Sequence, residues 1–165
     1  MTRIPRLAAA LAVLCALAAL AAVLRSPASA QTPTTRLLTF TELERGGTFT
    51  HIRNTKGAPR RANLAGDVIV FTNPLADASG ARVGTSWVSC TTTGGARNFM
   101  KSTLTCSGVL TFADGTLTLQ ANTSPATSTT TGAVTGGTGA YANARGVFVS
   151  EDGPNGARNT VTLAG

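Results

Sequence analysis

The sequence predicts an all-β domain of eight or nine strands, closed into a barrel, behind an N-terminal signal segment. Three observations carry that prediction. Threonine and glycine dominate: all 18 glycines and 27 of the 28 threonines lie after residue 30. A β-branched side chain suits a pleated strand and glycine punctuates turns. No ten-residue window beyond that point shows helical periodicity. Finally, eight or nine short strand-forming runs alternate with Gly, Pro and Asp/Asn turn signals. An open sheet of that many strands would expose its edges, and closing it into a barrel removes them.

Residues 1–30 stand apart from the rest. Arg3 and Arg6 precede an unbroken apolar run over residues 7–24, and Ala28-Ser29-Ala30 supplies a small-residue A-x-A end. That order reads as a secretory signal peptide cut after Ala30, which makes the protein secreted and extracellular. A retained membrane anchor is the alternative, since eighteen apolar residues just reach across a bilayer. Pro27 and the small-residue site favour cleavage. The remaining 135 residues carry eleven basic and seven acidic groups, a net charge of +4, and suffice for one domain.

The elements follow in order. Residues 31–35 form a polar, disordered lead-in. Strands are expected over 36–44 and 48–53, parted by Gly46-Gly47, before a basic, Pro-containing loop over 54–65. Residues 66–73 make the most apolar strand, and 73–80 turn the chain into a strand over 82–93. Gly94-Gly95 opens a hairpin that returns over 99–112, and Asp114-Gly115 is a strong turn into 116–122. Strands over 130–135, 144–150 and 159–163 complete the domain, which spans residues 36–165.

Cys15 leaves with the signal, so Cys90 and Cys106 remain. In an oxidising compartment they are expected to pair, against the alternative of two buried free thiols. Pairing would fix the hairpin register, setting Thr92 opposite Leu104 and Ser86 opposite Leu110 around a loop centred near Asn98. Directly opposed Cα atoms lie about 4.5–5.5 Å apart, within reach of a disulfide. The bond would then be a staple rather than a redox centre.

Several chemistries are excluded. Val134-Thr-Gly-Gly-Thr-Gly-Ala-Tyr-Ala142 contains G-x-G-x-x-A, but a dinucleotide site needs a helix and a βαβ unit. Only 26 residues follow Gly139, broken by Gly146, Gly153, Pro154 and Gly156, so the stretch reads as a glycine-rich corner between strands. His51 is the only histidine and no G-x-S-x-G elbow is present, which removes the usual hydrolytic constellations. One histidine and two pairable cysteines offer no metal cluster. Arg53, Lys56, Arg60 and Arg61 lack interleaved aromatics, so they read as a solvated loop rather than a nucleic-acid surface.

What remains is a polar set on otherwise apolar strands. Alternation places Asp67, Ile69, Phe71 and Asn73 on one face, opposite Val68, Val70 and Thr72. Phe40, Glu42 and Glu44 likewise share a face. Carboxylates facing solvent would be unremarkable, but pointing inward they are expensive and become acid/base or hydrogen-bonding candidates. Phe40, Ile69, Phe71 and Trp87 are the candidate ligand contacts.

These residues carry a resemblance. Gly66-Asp-Val-Ile-Val-Phe-Thr-Asn-Pro-Leu75, then Arg82-Val-Gly84, then Cys90, resembles the allene oxide cyclase family in motif and spacing. Residues 134–146 resemble the G-G-T-G-x-(F/Y)-x-x-A-R-G signature shared with dirigent proteins. The resemblance covers residues 36–163 and implies an eight-stranded barrel, commonly trimeric, with a hydrophobic cavity and no cofactor. It implies that the barrel steers a reactive small molecule, by folding an epoxide for ring closure or orienting phenoxy radicals for coupling. By resemblance, Asn73 matches the asparagine that helps hold a water against the epoxide oxygen. By the same resemblance, Glu42 or Glu44 is the counterpart of the cyclase glutamate, Cys90 matches a pocket cysteine, and Arg145 matches the shared arginine. The cyclase's proline near this glutamate is replaced here by Gly46-Gly47-Thr48.

Two functions follow. One is a secreted barrel that binds a small hydrophobic lipid, polyketide or phenolic molecule and guides its cyclisation or coupling without a cofactor, metal or nucleic acid. The other is a non-catalytic carrier or cell-surface module in the manner of lipocalins. An open cavity on which Glu42 or Glu44, Asn73 and Arg145 converge would favour the first.

Overall fold

The structure is a computed structural model and describes residues 35–60 and 62–164. The signal segment, its cleavage site and nearly all of the lead-in lie outside the described residues. Nine strands follow in order: β1 (Arg36–Leu43), β2 (Thr48–Ile52), β3 (Val68–Ala76), β4 (Arg82–Gly94), β5 (Thr103–Phe112), β6 (Gly115–Thr123), β7 (Thr129–Gly139), β8 (Arg145–Gly153) and β9 (Gly156–Ala164). No α-helix occurs among the described residues. Hydrogen bonding runs β1-β9-β8-β7-β6-β5-β4-β3 and returns to β1, all antiparallel. The barrel therefore has eight staves. β2 is the ninth strand but not a ninth stave, because it continues the line of β1 along the same neighbour, β3.

The break between β1 and β2 explains a proline. β1 holds β3 at Leu75 and Ala76, while β2 holds it from Val68 to Thr72. Asn73 and Pro74 face the gap left by the turn over residues 43–47. A proline cannot donate to a ladder, so it is tolerated where one neighbour is missing. Asn73 and Pro74 were expected to begin a turn; instead the strand runs on through Ala76, with Pro74 opposite Thr85.

The hairpin register agrees with the cysteine reading. Cys90 opposes Cys106, Thr92 opposes Leu104, and Ser86 opposes Leu110. The disulfide is formed, with Cα atoms 4.0 Å apart. The return strand starts later than expected, at Thr103, because Asn98 accepts the Met100 amide and winds Phe99–Lys101 into a 3-10 turn. The glycine-rich run is also strand rather than corner as far as Gly139. Its small residues let β7 pack closely, and the Phe148 ring occupies the space a Cβ at Gly132 would need. The last strand starts at Gly156, since Gly153 and Gly156 close a tight hairpin around Pro154 and Asn155.

Inward side chains form two clusters. Phe40, Leu75, Leu110, Leu117, Phe148 and Val161 anchor the larger one. Tyr141 from the signature joins it, with the Arg36 guanidinium 4.8 Å above its ring. Ile69, Cys90 and Leu104 anchor the smaller one, backed by Phe71 and Phe99. Beyond it, the loop over 54–65 folds against the β4–β5 connection. Buried Asn63 donates to Ser102 (2.8 Å) and accepts from Thr92 (2.9 Å). Arg53, expected to be solvated, ties this loop by donating to the carbonyls of Pro59 and Arg60.

Candidate functional site

Inside the barrel the two clusters leave a cavity of about 200 Å³. Leu104, Leu110, Leu119 and Phe148 supply apolar wall, and the Cys90–Cys106 disulfide is part of the same lining. Glu42 enters it from β1, where inward-facing residues alternate through Leu38, Phe40 and Glu42. The Ser86 hydroxyl donates to Glu42 Oε1 at 2.5 Å, and the Asn73 side-chain amide donates to the same oxygen at 3.1 Å. Short O–H···O contacts of this kind mark charge-assisted bonds. Three adjacent staves, β1, β3 and β4, thus converge on one carboxylate oxygen. Asn159 of β9 lines the same cavity and is nearly buried; its amide donates to the Ala157 carbonyl at 3.1 Å.

The backbone is shaped to admit this arrangement. A Cβ on Gly47 would lie 1.9 Å from Asn73 Oδ1 and 2.7 Å from the Thr72 carbonyl oxygen. Gly47→Ala is therefore expected to push Asn73 off Glu42 and to cost about 1–3 kcal/mol, as overpacking does. Urea denaturation checks the stability loss, and the Asn73 side-chain NMR signals check the displacement.

Of the residues singled out from the sequence, Glu42 and Asn73 come together. Phe71 lines both the lumen and a second recess beside β2, shared with Asn73 and Glu44. Phe40 and Ile69 face inward but are consumed by the core, Phe40 packing edge-on against Phe112 at 5.7 Å. Three expectations need correction. Trp87 lies on the outer face of β4 and is 56% exposed, beside Val70 and Val109. The alternation that turns Ser86, Val88 and Cys90 inward necessarily turns Trp87 out. Glu44 has left the strand for the turn after β1 and is exposed. Arg145 is exposed on β8, one residue before inward-facing Gly146, and donates to its neighbour's carbonyl, Ala144, at 2.7 Å.

Two other inward-facing ionisable groups serve the structure. Asp67 is buried and accepts the amides of Asn54 (2.7 Å) and Leu64 (2.9 Å), pinning both ends of the loop between them. Burial alone would raise its pKa, but those two amides and neighbouring His51 outweigh it and hold the carboxyl below the ordinary range. His51 Nε2 lies 3.4 Å from Asp67 Oδ2. Ser86 and Asn159 were not singled out from the sequence. The Cys90 register did carry a signal for Ser86, since it placed Ser86 on the cysteine face.

Fold and cavity together define a class: an antiparallel barrel of eight staves whose interior is only partly filled by its own side chains. The chain belongs to the allene oxide cyclase barrel-like family, whose model matches residues 48–157. No curated protein matches it. Among solved structures it is similar to a pyocyanin demethylase, at 22% identity and TM-score 0.61 over 79% of this chain and 99% of that one. It is also similar to a pterocarpan synthase dirigent protein, at 17% identity and TM-score 0.63 over 82% and 87%. A Diels–Alderase from Streptomyces koyangensis aligns at 14% identity and TM-score 0.53 over 99% and 83%. Identities this low show a shared fold.

Proposed function

We propose that the protein is exported, loses residues 1–30, and as a secreted barrel binds one small hydrophobic molecule and guides its cyclisation or stereoselective coupling. The observation that carries this reading is the partly empty apolar lumen with a single clamped carboxylate at one end. A dry cavity that holds a flexible guest folded contributes to rate by removing unproductive conformers. A fixed carboxylate in that cavity stabilises positive charge or accepts a proton as bonds rearrange. The dirigent and Diels–Alderase neighbours support the reading, since their names denote the steering of coupling and cycloaddition. Within it, Glu42 is the reacting or charge-stabilising group, and Asn73 holds it.

A second reading, the non-catalytic carrier, is favoured by one feature. Glu42 is the sole ionisable side chain that lines the lumen among the described residues, so no second proton-transfer group faces it. We further propose a homotrimer, for which the outer patch of Val70, Trp87 and Val109 is a suitable face.

Native mass spectrometry of protein recovered from the medium tests the reading. A co-purifying lipid, polyketide or phenolic is expected, on a chain that begins at Gln31. Slow release of that guest as an isomer or coupled product would show catalysis, and release unchanged would show a carrier. An empty lumen that also ignores added polyenes and phenols would overturn both. Light scattering gives the subunit number.

A further inference from the structure

We propose that the lumen selects a guest whose polar head donates a hydrogen bond, a hydroxyl, enol or N–H, and rejects one headed by a carboxylate. This rests on the guest-binding reading above and adds the chemistry of the guest. Both donors near Glu42 fall on the same oxygen, Oε1. Among the described residues no donor reaches Oε2. Oε2 is therefore the oxygen left to accept from a guest in the lumen that Glu42 lines. As a carboxylate, Glu42 can only accept.

Asn159 points the same way. One of its two N–H groups is committed to the Ala157 carbonyl, while Oδ1 takes no donor among the described residues and is free to accept one from a guest. Ala157 is the β9 residue opposite Glu42, so the two acceptors are diagonal neighbours across β1 and β9. Ser150 and Gln120, also in the lining, serve either part, and the Thr123 and Thr130 hydroxyls there are paired with each other at 2.7 Å. No lysine or arginine lines the cavity. An anionic head would therefore meet a like charge in a low-dielectric space with no counter-ion, which is costly. At about 200 Å³ the lumen is smaller than the ~300–1,000 Å³ of most ligand pockets, so the guest is compact.

Four probes of one skeleton test the proposal: naphthalene, 2-naphthol, 2-naphthoate and 2-acetonaphthone, titrated into the purified protein by NMR or calorimetry. The wild type is expected to bind 2-naphthol about tenfold more tightly than naphthalene, and 2-naphthoate less tightly than naphthalene. Glu42→Gln sharpens the test. Ser86 and Asn73 still need an acceptor at the Oε1 position, so the new amide must present its NH₂ at the Oε2 position. Preference should then swing from 2-naphthol to 2-acetonaphthone. Adding Ser86→Ala removes one of the two donors that fix the amide's orientation, and the swing should shrink. The near-UV signal of Trp87, outside the lumen, reports whether each variant is folded. Equal wild-type affinity for naphthalene and 2-naphthol, or a preference for 2-naphthoate, overturns the proposal while leaving a guest-binding lumen. Binding of none of the four overturns both.

Discussion

Replacing Asp67 by alanine is expected to destabilise the protein by about 2 kcal/mol, because two part-buried amides lose their acceptor at once. Asp67 is 1% exposed, and its two oxygens separately take the amides of Asn54 and Leu64. Each buried donor left unsatisfied costs roughly 1–3 kcal/mol. The loop between those amides carries Asn63, which bonds Thr92 and Ser102. Loss of the carboxylate should therefore loosen the whole loop rather than one contact. Urea denaturation reads the global loss, and limited proteolysis within residues 54–62 reads the local one. A variant as stable and protease-resistant as the wild type would show that water satisfies both amides.

The same carboxyl sets an acid limit. Its folded-state pKa is held below the ordinary value by the hydrogen bonds and His51, against the opposing push of burial. Stability from a depressed carboxyl is complete above its unfolded pKa and disappears as the pH falls through its folded one. Wild type should thus lose stability on acidification below the ordinary carboxylate range. The Asp67→Ala curve should be flatter over that window, so the two proteins converge.

How much of this was legible in the sequence depends on whether the information was local. The β4–β5 hairpin was, because side chains alternate with period two and a cross-strand disulfide tolerates one register. That register assigned a face to every residue of both strands. It implies that Ser86 turns inward and Trp87 outward, against the expectation of Trp87 as a ligand contact. Pro74 misled because a proline normally ends a strand. What rescues it is the β1–β2 gap, which depends on the pairing of β3 with two different segments earlier in the chain. The Glu42 clamp is partly legible: residue types and shared faces were, but which face points inward, and the meeting of β1 with β3 and β4, were not. The bond from Asn63 to Ser102 spans 39 residues and a loop without periodicity, so no pattern announces it. Arg145 shows the limit of carrying a role across by motif, since one step of alternation put it on the outside.

Substituting serine for both Cys90 and Cys106 is expected to cost about 3 kcal/mol, the chain-entropy value for a loop of this length. The two cysteines are 16 positions apart, and their Cα atoms lie 4.0 Å from each other in a ladder of ten paired positions. The ladder itself should survive, because neighbours from Gly84–Phe112 through Gly94–Thr103 hold the register without the bond. The loss should therefore appear mainly in the unfolded state, which becomes freer to expand, and the urea m-value should rise along with the drop in midpoint. Reduction of the wild type should reproduce both changes. An equal drop in midpoint with an unchanged m-value would locate the effect in native packing instead, around Ile69 and Leu104, where Cys90 is buried. Because the bond also lines the lumen, the double variant should bind naphthalene with altered affinity while keeping its preference for 2-naphthol, since the Glu42 clamp lies on other inward positions. Loss of that preference would mean that the disulfide, and not the clamp alone, holds Glu42 in place.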